Sequence, residues 1–282
     1  MLSPSEFTGS YINIGENKVK SAGLRLFVLG IVAGFLVGCG ACVANTATFA
    51  LNNMSVARIV SGLLFPFNLF IITMMGAELF TGNSLITISV LSGRVKLGGM
   101  LRNWLFVYLG NLLGGCLLAA AVTAAGQMDL AEGSLAVYAM RVAANKCSLS
   151  FGKALLLGIG CNILVCMGVV CAGCANSVPG KAVGAYLPIS FFVICGFEHC
   201  VANMYYIPAG IIAGSVPRYA QLAAEAGINL AKLNWGGFFL NNLLPVTVGN
   251  IIGGVAVALL LWYTQYLPSK KAAEKARSVS GV

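Results

Sequence analysis

The chain has 282 residues, of which 59% are hydrophobic and only 9% charged, with a mean hydropathy of +0.89. A water-soluble domain needs far more surface charge, so the composition excludes one and places the chain in a bilayer. The formal charge of +9 is then a signal of topology and of attraction to anionic lipid, and no nucleic-acid partner is expected.

The N-terminus opens with SPSEF, where Ser3, Pro4 and Glu6 match a capping box with proline at the first helical position. Residues 1–24 are expected to carry a short helix on the cytoplasmic membrane surface, with no cleavable signal peptide. Apolar runs then follow at residues 25–51, 59–91, 105–125, 154–175, 182–213 and 240–267. About 20 helical residues cross a hydrocarbon core, so these make six spans. They are continuously apolar and rich in Leu, Ala, Gly and Val, which predicts helices; barrel strands would alternate over short segments. The predicted class is an all-α membrane protein, with a channel domain over 25–268 and a basic cytoplasmic tail over 269–282.

Glycines recur as Gly30/Gly34/Gly38, Gly110/Gly114 and Gly249/Gly253, spacings that put small residues on one helix face for close packing. Cys39, Cys42, Cys116, Cys161, Cys166, Cys171, Cys195 and Cys200 lie within spans as small apolar packers. Cys171 and Cys174 form a C-x-x-C with no second pair and no histidine cluster, so neither a metal nor a redox cofactor is expected. With the N-terminus inside, only Arg58, Arg141, Lys146, Lys153, Arg218 and Lys232 of the 17 basic residues fall on outer segments. That bias predicts a multi-pass protein of the cytoplasmic membrane with both termini in the cytoplasm.

The second and fifth runs are too long for one simple crossing, and each contains an interruption: GAELFTGN at 76–83 and GFEHCVAN at 196–203. Laying one over the other pairs Gly76 with Gly196, Glu78 with Glu198 and Asn83 with Asn203. Further on, GNLLGG at 110–115 pairs with GNIIGG at 249–254, and Asn103 falls on Asn242. The halves are copies with three spans each, so the second enters the bilayer from the opposite side, an inverted 3+3 repeat. Broken backbone in hydrocarbon must line a cavity or be capped. Glu78 and Glu198 are expected to cap the freed amides, with Gly82 and Gly196 at the breaks, and the positive half-helix ends favour an anion.

At these residues the chain resembles the formate/nitrite transporter family, through GAELFTGN, NWLFVYLGN, GFEHCVANM followed by IP, and NNLLPVTVGNIIGG. The resemblance implies a pentamer of aquaporin-like protomers whose second and fifth helices are broken, each with its own pore. No proline follows an asparagine, so the two Asn-Pro-Ala loops of aquaporins are missing. Carried over by position, the family's central histidine falls on His199, its loop threonine on Thr81, its vestibule lysine on Lys146 and a pore asparagine on Asn162. Leu79 and Phe80, with Leu69, would narrow the cytoplasmic side; Phe65 and Phe192 would narrow the outer side.

The expected activity is permeation of a small monovalent weak-acid anion, formate first, with nitrite, hydrosulfide, acetate and lactate as alternatives and proton coupling through His199. A membrane anchor or enzyme subunit of a redox complex is the competing reading, with Glu78, Glu198 and His199 as acid/base groups or ligands. One histidine cannot supply bis-histidine haem ligation, and no glycine-rich phosphate loop is present. A neutral-solute channel is disfavoured by the missing Asn-Pro-Ala pair.

Overall fold

The computed structural model describes residues 1–268 and 270, so apart from Lys270 the predicted basic tail lies outside the described residues. In chain order the helices are α1 (Pro4–Lys20), α2 (Gly23–Thr48), α3 (Met54–Leu64), α4 (Phe67–Met75), a 3-10 turn at Gly82–Ile86 leading into α5 (Thr87–Leu91), α6 (Leu97–Ala124), α7 (Ser134–Cys147), α8 (Phe151–Cys174), α9 (Val178–Cys195), α10 (Cys200–Gly214), α11 (Pro217–Glu225) and α12 (Leu244–Leu261). π-helical turns at Gly237–Leu243 and Trp262–Tyr266 flank α12. Six segments are long and apolar enough to cross a membrane: α2, Met54–Met75, α6, α8, α9 and Gly237–Tyr266; Gly82–Leu91 and Cys200–Gly214 are shorter apolar helices.

The fold is all-α, as predicted, and both over-long runs are broken. Helix boundaries move outward where a polar residue belongs to the helix but not to the apolar run. The second span starts at Met54 because Asn53 Oδ1 accepts from the amides of Ser55 and Val56 at 3.0 and 3.1 Å. Likewise α6 starts at Leu97, and Arg102 and Asn103 lie within it.

The repeat is inverted in space. Leu2 N–H donates to Cys174 O at 2.8 Å, so α8 ends on the face where α2 begins. Within each half the first helix packs on the third: α2 on α6, and α8 on α12. Glycine makes this approach possible, since a Cβ on Gly30 would stand 2.8 Å from Val107 O and one on Gly158 2.8 Å from Val246 O.

Helix α1 has its predicted capping box: Ser3 Oγ accepts from Glu6 N–H at 3.2 Å, and Glu6 Oε2 accepts from Ser3 N–H at 2.7 Å. One face of it is also packed against the bundle. Phe7, Tyr11 and Ile12 are buried in a cluster with Leu85, Ile88, Cys166 and Val257. Ser89 Oγ donates to Ile12 O at 3.0 Å, and Glu16 pairs with Lys20 and with Arg94, each at 2.7 Å. The apolar side of α1 thus closes over the end of the bundle.

Candidate permeation site

Each broken span ends on a glycine in the left-handed region, Gly76 at φ +63° and Gly196 at φ +71°. In both, the next amide reaches back to the last turn, Ala77 to Ile72 O and Phe197 to Phe192 O, each at 3.0 Å. Only glycine adopts this helix stop without strain. Beyond it the chain runs unwound for a few residues before the next helix.

The freed backbone groups are satisfied by asparagines of the third helix in each half. Asn111 Oδ1 accepts from Phe80 N–H at 2.9 Å, while its Nδ2 donates to Gly30 O and Glu78 O at 2.8 and 3.0 Å. Asn250 does the same in the second half: Oδ1 accepts from Cys200 N–H at 2.9 Å, and Nδ2 donates to Gly158 O and Glu198 O at 2.7 and 3.0 Å. The expectation that Glu78 and Glu198 cap these amides is therefore corrected. A break exposes carbonyls as well as amides, and a carboxylate can only accept, whereas a primary amide serves both.

The glutamates are held in two matching polar clusters. Lys18 Nζ lies 2.8 and 2.7 Å from the carboxylate oxygens of Glu78 and 3.0 Å from Asn83 Oδ1; Asn83 Nδ2 donates to Glu78 Oε2 and to Asn103 Oδ1. In the second copy Lys146 Nζ lies 2.8 Å from Glu198 Oε1, and Asn203 Nδ2 donates to Glu198 Oε2 and Asn242 Oδ1, both at 2.7 Å. Lys146 sits in the last turn of α7 rather than in a loop, with Nζ 5.3 Å from the Tyr206 ring centroid. Its charge is matched by a carboxylate, so it is not a free vestibule cation.

Two cavities face opposite ends of the protein. One, of about 370 Å³, lies beneath α1 and is lined by Phe7, Tyr11, Lys18, Leu69, Ile72, Glu78, Leu79, Gly82 and Asn83, among others. The other, of about 310 Å³, is lined by Arg58, Ser61, Phe65, Lys146, Phe192, Gly196, Glu198, His199, Asn203 and Tyr206, among others. Phe65 and Phe192 meet edge to face at 5.8 Å, and Phe192 lies 5.8 Å from the His199 ring. Leu69, one turn beyond Phe65, faces the other cavity.

Between the cavities the two interruptions touch: Thr81 Oγ1 and His199 Nε2 are 2.9 Å apart, and both residues are buried. His199 Nδ1 accepts from Ala202 N–H at 3.3 Å, which makes His199 the cap of α10. That lone pair is committed, which in a neutral imidazole assigns the ring hydrogen to Nε2, where it donates to Thr81. The threonine hydroxyl keeps its own hydrogen for another acceptor.

Two predicted pore residues lie elsewhere. Phe80 lines neither cavity; its ring packs on Trp104 at 5.9 Å and Tyr108 at 4.8 Å, because successive side chains of the unwound segment point in different directions and Leu79 takes the cavity side. Asn162 is fully buried and its Nδ2 is engaged by Asn250 O at 2.6 Å and by Thr81 O and Ser84 Oγ at 3.2 Å, so it positions the Thr81 backbone instead of facing the path. Sequence reasoning missed Lys18, Asn111 and Asn250 as functional. A signal existed for the first, since Lys18 precedes Gly30 by the same 12 residues as Lys146 precedes Gly158.

Six apolar crossings, two of them broken where the copies meet, with a cavity on each side of that contact, define an inverted-repeat membrane permeation protein. The family model for formate/nitrite transporters matches residues 5–264, and the chain belongs to that family. It is 35% identical over 263 residues to the formate channel FocA of Haemophilus influenzae, covering 90% of each chain. FocA of Escherichia coli K12 is 34% identical over 271 residues, covering 95% of each. A solved pentameric formate channel with formate bound superposes with a TM-score of 0.76 at 35% identity, over 86% of this chain and 96% of that one.

Proposed function

We propose that the protein is a pentameric channel, not an enzyme, that carries small monovalent weak-acid anions, formate first, across the cytoplasmic membrane with both termini inside. The names of its relatives support the substrate and assembly, and the basic residues concentrated on the α1 side support the orientation. The observation that carries the reading is the Thr81–His199 hydrogen bond, buried between two cavities whose inner walls are apolar. An anion leaving either cavity loses water at Phe65 and Phe192 or at Leu69 and Leu79, where a bare charge is costly. At the centre it finds the Thr81 hydroxyl as a free donor, backed by the His199 Nε2–H that Thr81 Oγ1 accepts.

A neutral imidazole does not surrender its Nε2 hydrogen, so proton delivery by His199 first needs a proton on Nδ1, at the expense of the Ala202 hydrogen bond. An arriving anion offsets that loss, since attraction between imidazolium and anion is strong where water is excluded. Coupling to protons is thus driven by substrate arrival. A haem ligand role fits poorly, because both ring nitrogens are already engaged.

The test is flux of formate, nitrite, hydrosulfide and glycerol into proteoliposomes between about pH 5 and 8. Formate is expected to pass and glycerol to be excluded. His199→Asn keeps a donor but cannot titrate, and it is expected to flatten the pH profile of formate flux. A variant with the wild-type profile would falsify the proton role.

A further inference from the structure

The two vestibules are built from matching residues, and one charge breaks the match. On the face opposite α1, the Arg58 guanidinium donates from Nη1 to Ile194 O at 3.1 Å, in the last turn of α9. It lies flat over Gly196: a Cβ there would stand 2.6 Å from Nη1 and 3.3 Å from both Cζ and Nη2. The repeat that pairs Glu78 with Glu198 pairs Arg58 with Val178, and a Cβ on Gly76 meets nothing within 4 Å. The vestibule beneath α1 therefore has no equivalent cation among the described residues lining it.

The charge balance follows. Beneath α1, Lys18 and Glu78 offset one another. On the opposite face Lys146 and Glu198 do the same, which leaves Arg58 as a net positive charge on that cavity wall. It also sits on the carbonyl end of α9, whose partial negative charge repels an approaching anion. The corresponding end of α4 carries no such cover.

We propose that Arg58 is an anion-capture site at the mouth opposite α1, so that the pore draws small monovalent anions more readily from that side. This rests on the channel reading above. The guanidinium engages Ile194 O through Nη1, and its other N–H groups are available to a carboxylate or similar oxyanion. One unpaired charge about 10 Å from an ion in partly aqueous surroundings changes its local occupancy about two- to ten-fold. The effect is screened when salt shortens the Debye length to about 3 Å at 1 M.

The experiment is current through single-orientation channels in planar bilayers, carried by formate and separately by nitrite, with voltage selecting the entry side. Arg58→Gln is expected to lower entry from the side opposite α1 about two- to ten-fold at about 0.01 M salt and very little at about 1 M. Arg58→Lys should restore most of it. Val178→Arg leaves Arg58 in place and supplies the missing cation to the other mouth, and is expected to raise entry from the α1 side under the same conditions. Losses equal from both sides, or insensitive to salt, would show that Arg58 only anchors α9 and overturn the proposal, as would wild-type currents in Arg58→Gln together with no gain in Val178→Arg. A wild type that passes nitrite but not formate retires the substrate assignment, and the asymmetry is then read on nitrite. A wild type that passes neither overturns both.

Discussion

At the scale of single residues, the asparagines that hold the breaks are the most exacting feature. Asn111 and Asn250 are fully buried, and each satisfies one amide and two carbonyls. An unpaired buried group costs about 1–3 kcal/mol, so Asn111→Ala and Asn250→Ala are expected to lose several kcal/mol each and by similar amounts. Thermal unfolding in detergent measures this, and a large difference between the two would argue against the equivalence of the halves. The aromatic and aliphatic residues divide differently. Leu79→Ala and Phe192→Ala widen cavity walls and are expected to admit acetate and lactate more freely, with modest loss of stability. Phe80→Ala removes a ring packed on Trp104 and Tyr108, and about 3–5 kcal/mol of stability is expected to go with it. Its size cutoff in a carboxylate flux series should match the wild type.

Among the elements, α1 carries a surface ion pair to the rest of the bundle, Glu16 with Arg94, that acid weakens. Glu16 hydrogen-bonds Lys20 and Arg94, and these partners, Lys20 first, hold its carboxyl below the ordinary carboxylate range. A depressed native value means that its contribution is complete above the ordinary range and is lost as pH falls through the native value. Backbone hydrogen exchange of α1 should therefore rise in acid while the spanning helices stay protected. Glu16→Gln should show the faster exchange already at neutral pH, since it keeps the shape and removes the charge that Arg94 meets. Unchanged exchange in that variant would assign the docking of α1 to its other contacts, the buried Phe7, Tyr11 and Ile12 and the Lys18–Glu78 pair.

For the molecule as a whole, the exposed outer surface is a set of apolar ridges, including Leu101, Leu105, Leu109 and Leu113 on α6 and Leu240, Leu244, Val248 and Ile252 in the second copy. Such surfaces face lipid or another copy. A pentamer predicts a detergent-solubilised protein mass about five times the 29.3 kDa chain by light scattering corrected for bound detergent, and a monomer mass would count against it. The sequence by itself determined the six crossings, the two breaks and the inverted repeat, because each depends on local hydropathy, on glycine or on matched spacing along one chain. The two glutamates were legible as paired through the repeat, and His199 as the lone histidine, next to Glu198 in the broken span. Tertiary structure alone decided what satisfies the breaks, since Asn111 and Asn250 reach them from the third helix of each half. It also decided that Phe80 turns away from the cavity that Leu79 lines, because an unwound segment has no periodicity to read. The net charge of each vestibule was settled in the same way: Lys18 and Lys146 meet Glu78 and Glu198 from distant helices, and Coulomb attraction acts through space, so only the packed chain reveals that these charges cancel while Arg58 is left over.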